Sequence, residues 1–351
     1  MSLIASNMPP SSELRSSSTM LREVIVTIMH NHVALSSAAS DKSNNQIMEN
    51  SITQTATLLW KKFIKRLRTY LAINLFVVAV AVLSYSMVSW GTQTSSLFAE
   101  ASSIYVSSVI RMLGTVFYFE GFARQDGIKR IDGQPHAPMD MGGDAWNGLF
   151  FIAGVCEVIN MMYSTRYAGF GFVAHTESYF LEYLIFIPKS LLLELIFDFF
   201  HYWSHRYFHR NKFLFRLVHA EHHSHLHLTP IDTYAQTYLE VILTNMIPLF
   251  LAFRCGPTMS LWQFHLFMSY KTFIEVAGHA GLDSRGPSFP QCPLLGWCTD
   301  GVILRTQDHD WHHTKPTCNF SKRFSLWDRL FGTYEEPNHR QKRSRINKKQ
   351  A

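Results

Sequence analysis

Hydropathy and histidine placement together predict an all-α integral membrane protein, with about four to six transmembrane helices and a histidine-rich helical cap on one face. Three observations carry this. The stretch "LAINLFVVAVAVLSYSMVSW", Leu71 to Trp90, holds no formal charge over the roughly 20 residues that a spanning helix needs. Five further apolar runs follow it, and thirteen of the eighteen histidines lie between His201 and His313. Composition agrees: hydrophobic residues make up 47% and charged residues 17%, below the roughly 25% usual in soluble domains.

Residues 1–57 are rich in Ser, Asn and Thr and are expected to be a disordered N-terminal segment. Within it, "LREVIVTIMHNHVAL" is too short and interrupted to cross a bilayer. Residues 58–178 read as an N-terminal transmembrane region. It begins with Lys61, Lys62, Lys65, Arg66 and Arg68 directly before Leu71, and the positive-inside rule places that end in the cytosol. Ile104 to Phe119 is an apolar run interrupted by Arg111, and Trp146 to Tyr163 carries Glu157.

The next region, 179–334, opens with Tyr179 to Phe200, which contains Glu182, Lys189, Glu194 and Asp198. Charges at such depth must face protein or a polar cavity. Glu194 and Asp198 share a helix face that continues to Tyr202 and His205. Tyr238 to Phe253 and Leu261 to Val276 flank "RCGPT" and read as a helical hairpin. With a cytosolic N-terminus and four crossings, the chain returns to the cytosol near His201, and the hairpin enters and leaves on that side. The histidine-rich segments and the tail, 335–351, then share the cytosolic face. The tail "HRQKRSRINKKQA" has six Lys or Arg and ends in "KKQA", which resembles a dilysine retrieval signal of endoplasmic reticulum membrane proteins.

The formal charge of +6 is spread along membrane flanks and the tail, without a basic helix or nucleic-acid motif. Nucleic acid is therefore not an expected partner. Five cysteines in no small-domain spacing are read as reduced thiols.

The histidines fall into groups with ligand spacing. "HYWSHRYFH" places His201, His205 and His209 four apart, one helical turn each. "HAEHH" holds His219, His222 and His223, and "HDWHH" holds His309, His312 and His313 in the same pattern. In each of these two boxes the histidines at i and i+3 are expected to share a face, and the adjacent one to reach a second metal. Leaving His201 aside, eight imidazoles are too many for one tetrahedral ion and suit two. Imidazole accepts Zn, Fe, Cu or Ni. Oxidative chemistry would need iron or copper, because zinc has no redox chemistry. Glu194, Asp198, Glu221 and Asp310 are candidates to orient the ligand rings, and His201 is a candidate extra ligand. His225 and His227 match no box and are read as bystanders.

These boxes, "HRYFH", "HAEHH" and "HDWHH", resemble those of the fatty acid hydroxylase/sterol desaturase superfamily of membrane di-iron enzymes. "NFSKRFSLWDRLFGTY" is similar to its closing segment, so the resemblance runs from Leu192 to Tyr334. It implies metal ligands at His205, His209, His219, His222, His223, His309, His312 and His313, with one more at His279 in "GHAG". It also implies two Fe ions, O2 and external electrons from cytochrome b5 or its NAD(P)H-dependent reductase system. No haem, flavin or nucleotide fingerprint is recognised in the chain. The sequence departs from sterol methyl oxidase relatives at "QTYLE", where Thr237 and Tyr238 replace a His-Pro pair and Glu240 is kept. It departs from some fatty acyl hydroxylases at Asp283.

The resemblance implies an O2-dependent lipid hydroxylase or desaturase of the endoplasmic reticulum membrane, acting on a sterol or sterol precursor by C-4 methyl oxidation, C-5 desaturation or hydroxylation. Algal-type squalene epoxidation and fatty acyl or sphingolipid hydroxylation remain open. From another class, a metal transporter would place its ligands near the bilayer midplane, whereas these lie at helix ends and in loops on one side.

Overall fold

The computed structural model of the protein describes residues 42–125, 128–133, 135, 136, 139, 143–166, 178–224, 228–282, 289–292 and 302–337. The N-terminal residues before 42, His225, His227, Asp283 and the basic tail from 338 lie outside them.

Helices dominate, and the described residues contain no strand, only the bridges Arg130–Leu282 and Ile303–Phe324. The long helices are α1 (Lys42–Gln93), α2 (Leu97–Ala123), α3 (Asp144–Phe151, continued by a π-turn Ile152–Glu157 into Val158–Arg166) and α4 (Tyr179–Arg210). They are followed by α5 (Tyr238–Glu240, continued by a π-turn Val241–Met246 into Ile247–Cys255) and α6 (Leu261–His279). Two short helices complete the chain, α7 (Thr306–Thr314) and α8 (Leu326–Leu330). The chain divides into two compact units. Of the described residues the first holds 42–72, and the second holds everything from Ile73 onward.

One expectation changes here. Helix α1 starts at Lys42, so residues 42–57 are helical rather than disordered. Their polar side chains misled the composition argument. The stretch contains neither Pro nor Gly, and a helix already formed through the apolar run propagates into it more easily than it nucleates.

Among the described residues, three helices are long and apolar enough to cross a membrane: Ile52–Gln93, Asp144–Tyr163 and Tyr238–Cys255. Helices α2, α4 and α6 carry charges, and the second unit buries several of them. Arg111 of α2 is 2% exposed; it pairs with Glu157 of α3, and its Nε donates to Thr272 Oγ1 of α6 at 3.0 Å. Glu182 of α4 accepts from Ser260 Oγ at 2.7 Å. A buried charge is tolerated when it is paired in this way.

Caps fix the helix starts. Ser178 Oγ accepts from Leu181 N in α4, and Ser260 and Gln263 bond reciprocally at the start of α6. Side-chain caps supply partners for backbone N–H groups that have none within the helix. At Gly148 the backbones of α3 and the 230–234 turn touch: a Cβ there would lie 2.0 Å from Tyr234 O. The apolar core runs from Val77 through Met112, Val116, Leu193 and Phe197 to Phe267 and Val276.

Candidate metal centre

The C-terminal half of α4 presents His201, His205 and His209 at successive turns. Past Arg210 the chain bends through a π-turn, Phe215–His219, and a 3-10 turn, His222–Ser224, which carry the second box. The third box lies on α7, whose first turn is closed by Asp308 Oδ2 accepting from Arg305 N at 2.8 Å. His279 ends α6.

The nine histidines expected as ligands come together in two groups: His205, His209, His219, His223 and His312 in one, and His222, His279, His309 and His313 in the other. Within each group the candidate ligand atoms lie within 4.8 Å of one another. The groups are neighbours, with the rings of His223 and His313 4.7 Å apart and those of His219 and His222 5.4 Å apart.

The division within the boxes differs from the expectation. In both HxxHH boxes it is the i and i+4 histidines that stay together, and the i+3 histidine crosses to the other group. His219 and His223 serve the first group and His222 the second, whereas His309 and His313 serve the second group and His312 the first. For the third box, on α7, helical geometry accounts for this. At about 100° per residue, i+4 is about 40° from alignment and i+3 about 60°, on the opposite side.

Backbone and carboxyl acceptors set the ring tautomers. His205 Nδ1 donates to Phe320 O at 2.8 Å, His312 Nδ1 to Cys318 O at 2.7 Å, His279 Nδ1 to Glu275 O at 2.9 Å, and His219 Nδ1 to Glu240 Oε1 at 2.8 Å. A neutral imidazole that donates through Nδ1 keeps a lone pair on Nε2. Yet His205 Nε2 and His219 Nε2 face each other at 3.0 Å, and His223 Nε2 and His219 Nε2 at 3.1 Å. In the second group, His309 Nε2 is 3.0 Å from His279 Nε2. His312 Nε2 is buried without any partner. His205 and His219 both donate through Nδ1, so no proton lies between their facing Nε2 atoms and a shared cation satisfies them; the convergence of Nε2 atoms in both groups fits two metal ions.

Burial supports the same reading. Burial, followed by its His312 and His219 neighbours, holds His205 well below the ordinary imidazole range. Burial likewise lowers His312 to about 3 and His279 to about 4. The rings are therefore neutral near pH 7, the state a metal ligand needs.

The loop between α7 and α8 is the frame for these bonds. Asp198 Oδ1 accepts from Lys322 N at 2.6 Å and Arg323 N at 3.2 Å, and its Oδ2 accepts from Phe324 N at 2.9 Å. Asp328 accepts from Phe320 N and Ser321 N, both at 2.8 Å. Asn319, at φ 56°, takes the left-handed conformation that turns the chain there.

The other candidate groups are placed differently from the expectation. Glu194 and Asp198 do not touch histidines: Glu194 pairs with Arg323 at 3.1 Å, and Asp198 holds the 322–324 backbone. Carboxylates buried at less than 2% exposure take the nearest N–H donors, and those belong to the loop. His201 stands outside both groups, donating through Nδ1 to Thr244 O at 2.8 Å. Pro248, four residues on, has no N–H for that carbonyl. Asp310 is buried, and Glu221 sits in the turn ahead of His222, its carbonyl accepting from Ser224 Oγ. Two groups had no assigned role in the sequence reading. Glu240 holds His219, and Thr237 caps α5 while donating to Val218 O at 2.7 Å, next to His219. The kept Glu in "QTYLE" was the available signal for the first.

Residues 190–333 match the sequence model of the fatty acid hydroxylase family. Over 151 residues the chain is 30% identical to cholesterol 25-hydroxylase-like protein 1, member 2, of Danio rerio, covering 40% of this chain and 49% of that protein. Over 155 residues it is 31% identical to sphinganine C4-monooxygenase 2 of Arabidopsis thaliana, covering 43% and 56%. It is 28% identical over 155 residues to the C-4 methylsterol oxidase of Schizosaccharomyces pombe, covering 42% and 47%. Across the curated relatives named here the matched segment spans about half of their own length. No solved structure matches the chain.

Proposed function

We propose, from the match of residues 190–333 to the fatty acid hydroxylase family, that the protein is a membrane-bound non-haem di-iron oxygenase or desaturase. It oxidises an unactivated position of a lipid, a sterol or sterol precursor first, by C-4 methyl oxidation, C-5 desaturation or hydroxylation. The relatives named for cholesterol and C-4 methylsterol support the sterol preference. The one named for sphinganine supports a second reading, sphingolipid hydroxylation. The observation that carries the proposal is the sorting of nine histidines into two groups with converging Nε2 atoms.

His205, His209, His219, His223 and His312 would hold one iron, and His222, His279, His309 and His313 the other. Bound iron supplies reductive activation of O2 and oxidation of a C–H bond to an alcohol or a double bond. This chain's own residues do the rest. Glu240 and the carbonyls of Phe320, Cys318 and Glu275 keep Nδ1 protonated, so that each ring offers Nε2. Phe320 lies 5.4 Å from the ring of His209, and Phe215 5.7 Å from that of His223. With buried Trp311 these rings keep water from the centre. Electrons come from outside the chain, from cytochrome b5 or its reductase. The centre faces the cytosol from the endoplasmic reticulum membrane.

Purified protein loaded with iron is expected to hold about two irons per chain. His222→Ala should lose iron and activity while remaining folded. Cells lacking the gene should accumulate one methylated or saturated sterol intermediate. An unchanged sterol profile with altered sphingolipid hydroxylation would sink the sterol preference, and activity surviving in His222→Ala would sink the oxygenase itself.

A further inference from the structure

The two histidine groups draw on different parts of the chain. Phe320, Cys318 and Glu240 supply acceptors for rings of the first group, and all three lie within the matched residues 190–333. The second group is assembled from three segments: the 222–224 turn with His222, the end of α6 with His279, and α7 with His309 and His313. His279 stands between the others, its Nε2 3.0 Å from that of His309 and 3.5 Å from that of His222. Yet His279 is the last residue of α6. The last carbonyls of a helix have no N–H partners within it, and terminal turns open at little cost. A ligand at that place needs its helix end held.

The hold comes from residues 128–133, which follow α2 and lie outside 190–333. Arg130 forms an antiparallel bridge with Leu282, and Ile131 N donates to Gly281 O at 2.9 Å, two residues past His279. The Arg130 side chain then ties this end to the exit of the second box: its Nη2 donates at 3.0 Å to Leu228 O, five residues past His223. Asp132 fixes the plane of the guanidinium, accepting from Nε at Oδ1 and from Nη2 at Oδ2, both at 3.2 Å. A forked pair of this kind sets direction as well as charge. The two side chains are 4% and 3% exposed, so water does not stand in for either.

The joint is closely built. A Cβ on Gly281 would lie 2.5 Å from Leu228 O and 3.1 Å from Arg130 Nη2, and Gly281 takes φ 63°, a conformation glycine adopts freely. The third segment arrives at the same place, because Thr306 Oγ1, at the start of α7, donates to Ala277 O at 3.2 Å. All three segments of the second group therefore meet at residues 277–282. The first-group members of the second box have ties of their own: Glu240 holds His219, and Thr237 holds Val218 O.

We propose that Arg130 is a positioning residue for the second metal ion: by locking Leu228 O to the end of α6 it sets the spacing of His222 and His279. The proposal rests on the two-ion reading of the histidines and extends the metal centre beyond residues 190–333. Its effect is one-sided, because the bonds that orient the first group come from Glu240 and the 318–320 loop. Arg130 acts only through these backbone ties and is not itself a ligand.

The test is titration of the metal-stripped full chain in nanodiscs with cobalt(II), read by the visible absorption of imidazole-bound cobalt. The wild type is expected to fill both positions. Arg130→Ala should take its first ion as the wild type does and its second about 10- to 100-fold more weakly, so that a one-ion form accumulates. Adding His309→Ala should leave that retained ion in place, and adding His209→Ala should abolish it. Arg130→Lys keeps a donor for Leu228 O and should recover most of the second ion. Ser260→Ala uncaps the opposite end of α6 and serves as the control: it should lower the melting temperature and leave the cobalt curve as it was. A wild-type curve in folded Arg130→Ala overturns the proposal, as does equal weakening at both groups or a one-ion plateau in Ser260→Ala. Should Arg130→Ala fail to fold, Gly281→Ala decides by the same curve, since its methyl group would push Leu228 O away with Arg130 still present. Lipid oxidation together with a wild-type curve in Arg130→Ala rejects this proposal alone. Selective loss of the second ion without any lipid oxidation rejects the oxygenase reading and supports this one, and a wild type that takes up no cobalt overturns both.

Discussion

Glu240→Ala removes the acceptor that fixes His219. The two side chains are 3% and 2% exposed and meet at 2.8 Å, so water cannot replace the lost oxygen. Leaving a buried Nδ1–H without an acceptor costs about 1–3 kcal/mol. The freed ring can also move its proton to Nε2, the atom that faces His205 and His223. At about 1.4 kcal/mol per tenfold, metal affinity in the first group should fall about 10- to 100-fold, the range seen when groups supporting a ligand are removed. Glu240→Gln keeps an acceptor oxygen and loses the charge, so its loss should be nearer the lower figure. The assay is iron per chain after dialysis against graded chelator, with a thermal melt in detergent to show that each variant is folded. If folded Glu240→Ala resists chelator as the wild type does, while His222→Ala releases iron, the tautomer argument is wrong.

Three other outcomes follow from the same geometry. Asp198→Ala deprives three backbone N–H groups of their acceptor; it should destabilise the protein by about 3 kcal/mol or more and lower iron content, read from melts and metal analysis. His201→Ala should leave iron content near that of the wild type, whereas His205→Ala should deplete it, because only His205 stands in a group. For the metal-free protein, burial holds His312 at about 3 and His279 at about 4, below the roughly 6.5 of an unfolded chain. The unfolded state therefore binds more protons as pH falls, and the stability these rings lend is complete above about 6.5 and lost toward about 4, by about 1.4 kcal/mol per pH unit for each ring. A melting temperature that stays flat between pH 7 and 4.5 would contradict it.

The sequence carried the residue types of the centre well and their wiring poorly. HxxxH and HxxHH spacing is local, so a single helix turn suffices to bring those rings together. Which ion each ring faces depends on tenths of a turn, and the i+3 pairing expected from spacing gave way to i+4. The supports come from far along the chain: Asp198 meets Lys322 across 124 residues, and His205 meets Phe320 across 115. No local pattern encodes such contacts. The same holds for Arg111, which reads as an interruption of an apolar run until Glu157 and Thr272 are seen around it. The apolar runs were legible because burial in lipid leaves a continuous signature. The polar first turns of α1, residues 42–57, were not, because their helix is inherited from the residues that follow.

The crossed allegiance of the two HxxHH boxes has a consequence for filling. Each box places a pair of rings at one position and a single ring at the other, so neither position is built from a private set of backbone segments. An ion that settles in the first group fixes the 219–223 turn through its pair and α7 through His312. Those are the segments that carry His222, His309 and His313 to the second group. The first ion thus prepays the ordering that the second would otherwise require, and loading becomes cooperative. Titration with ferrous iron should yield empty and doubly filled chains with little of the half-filled form.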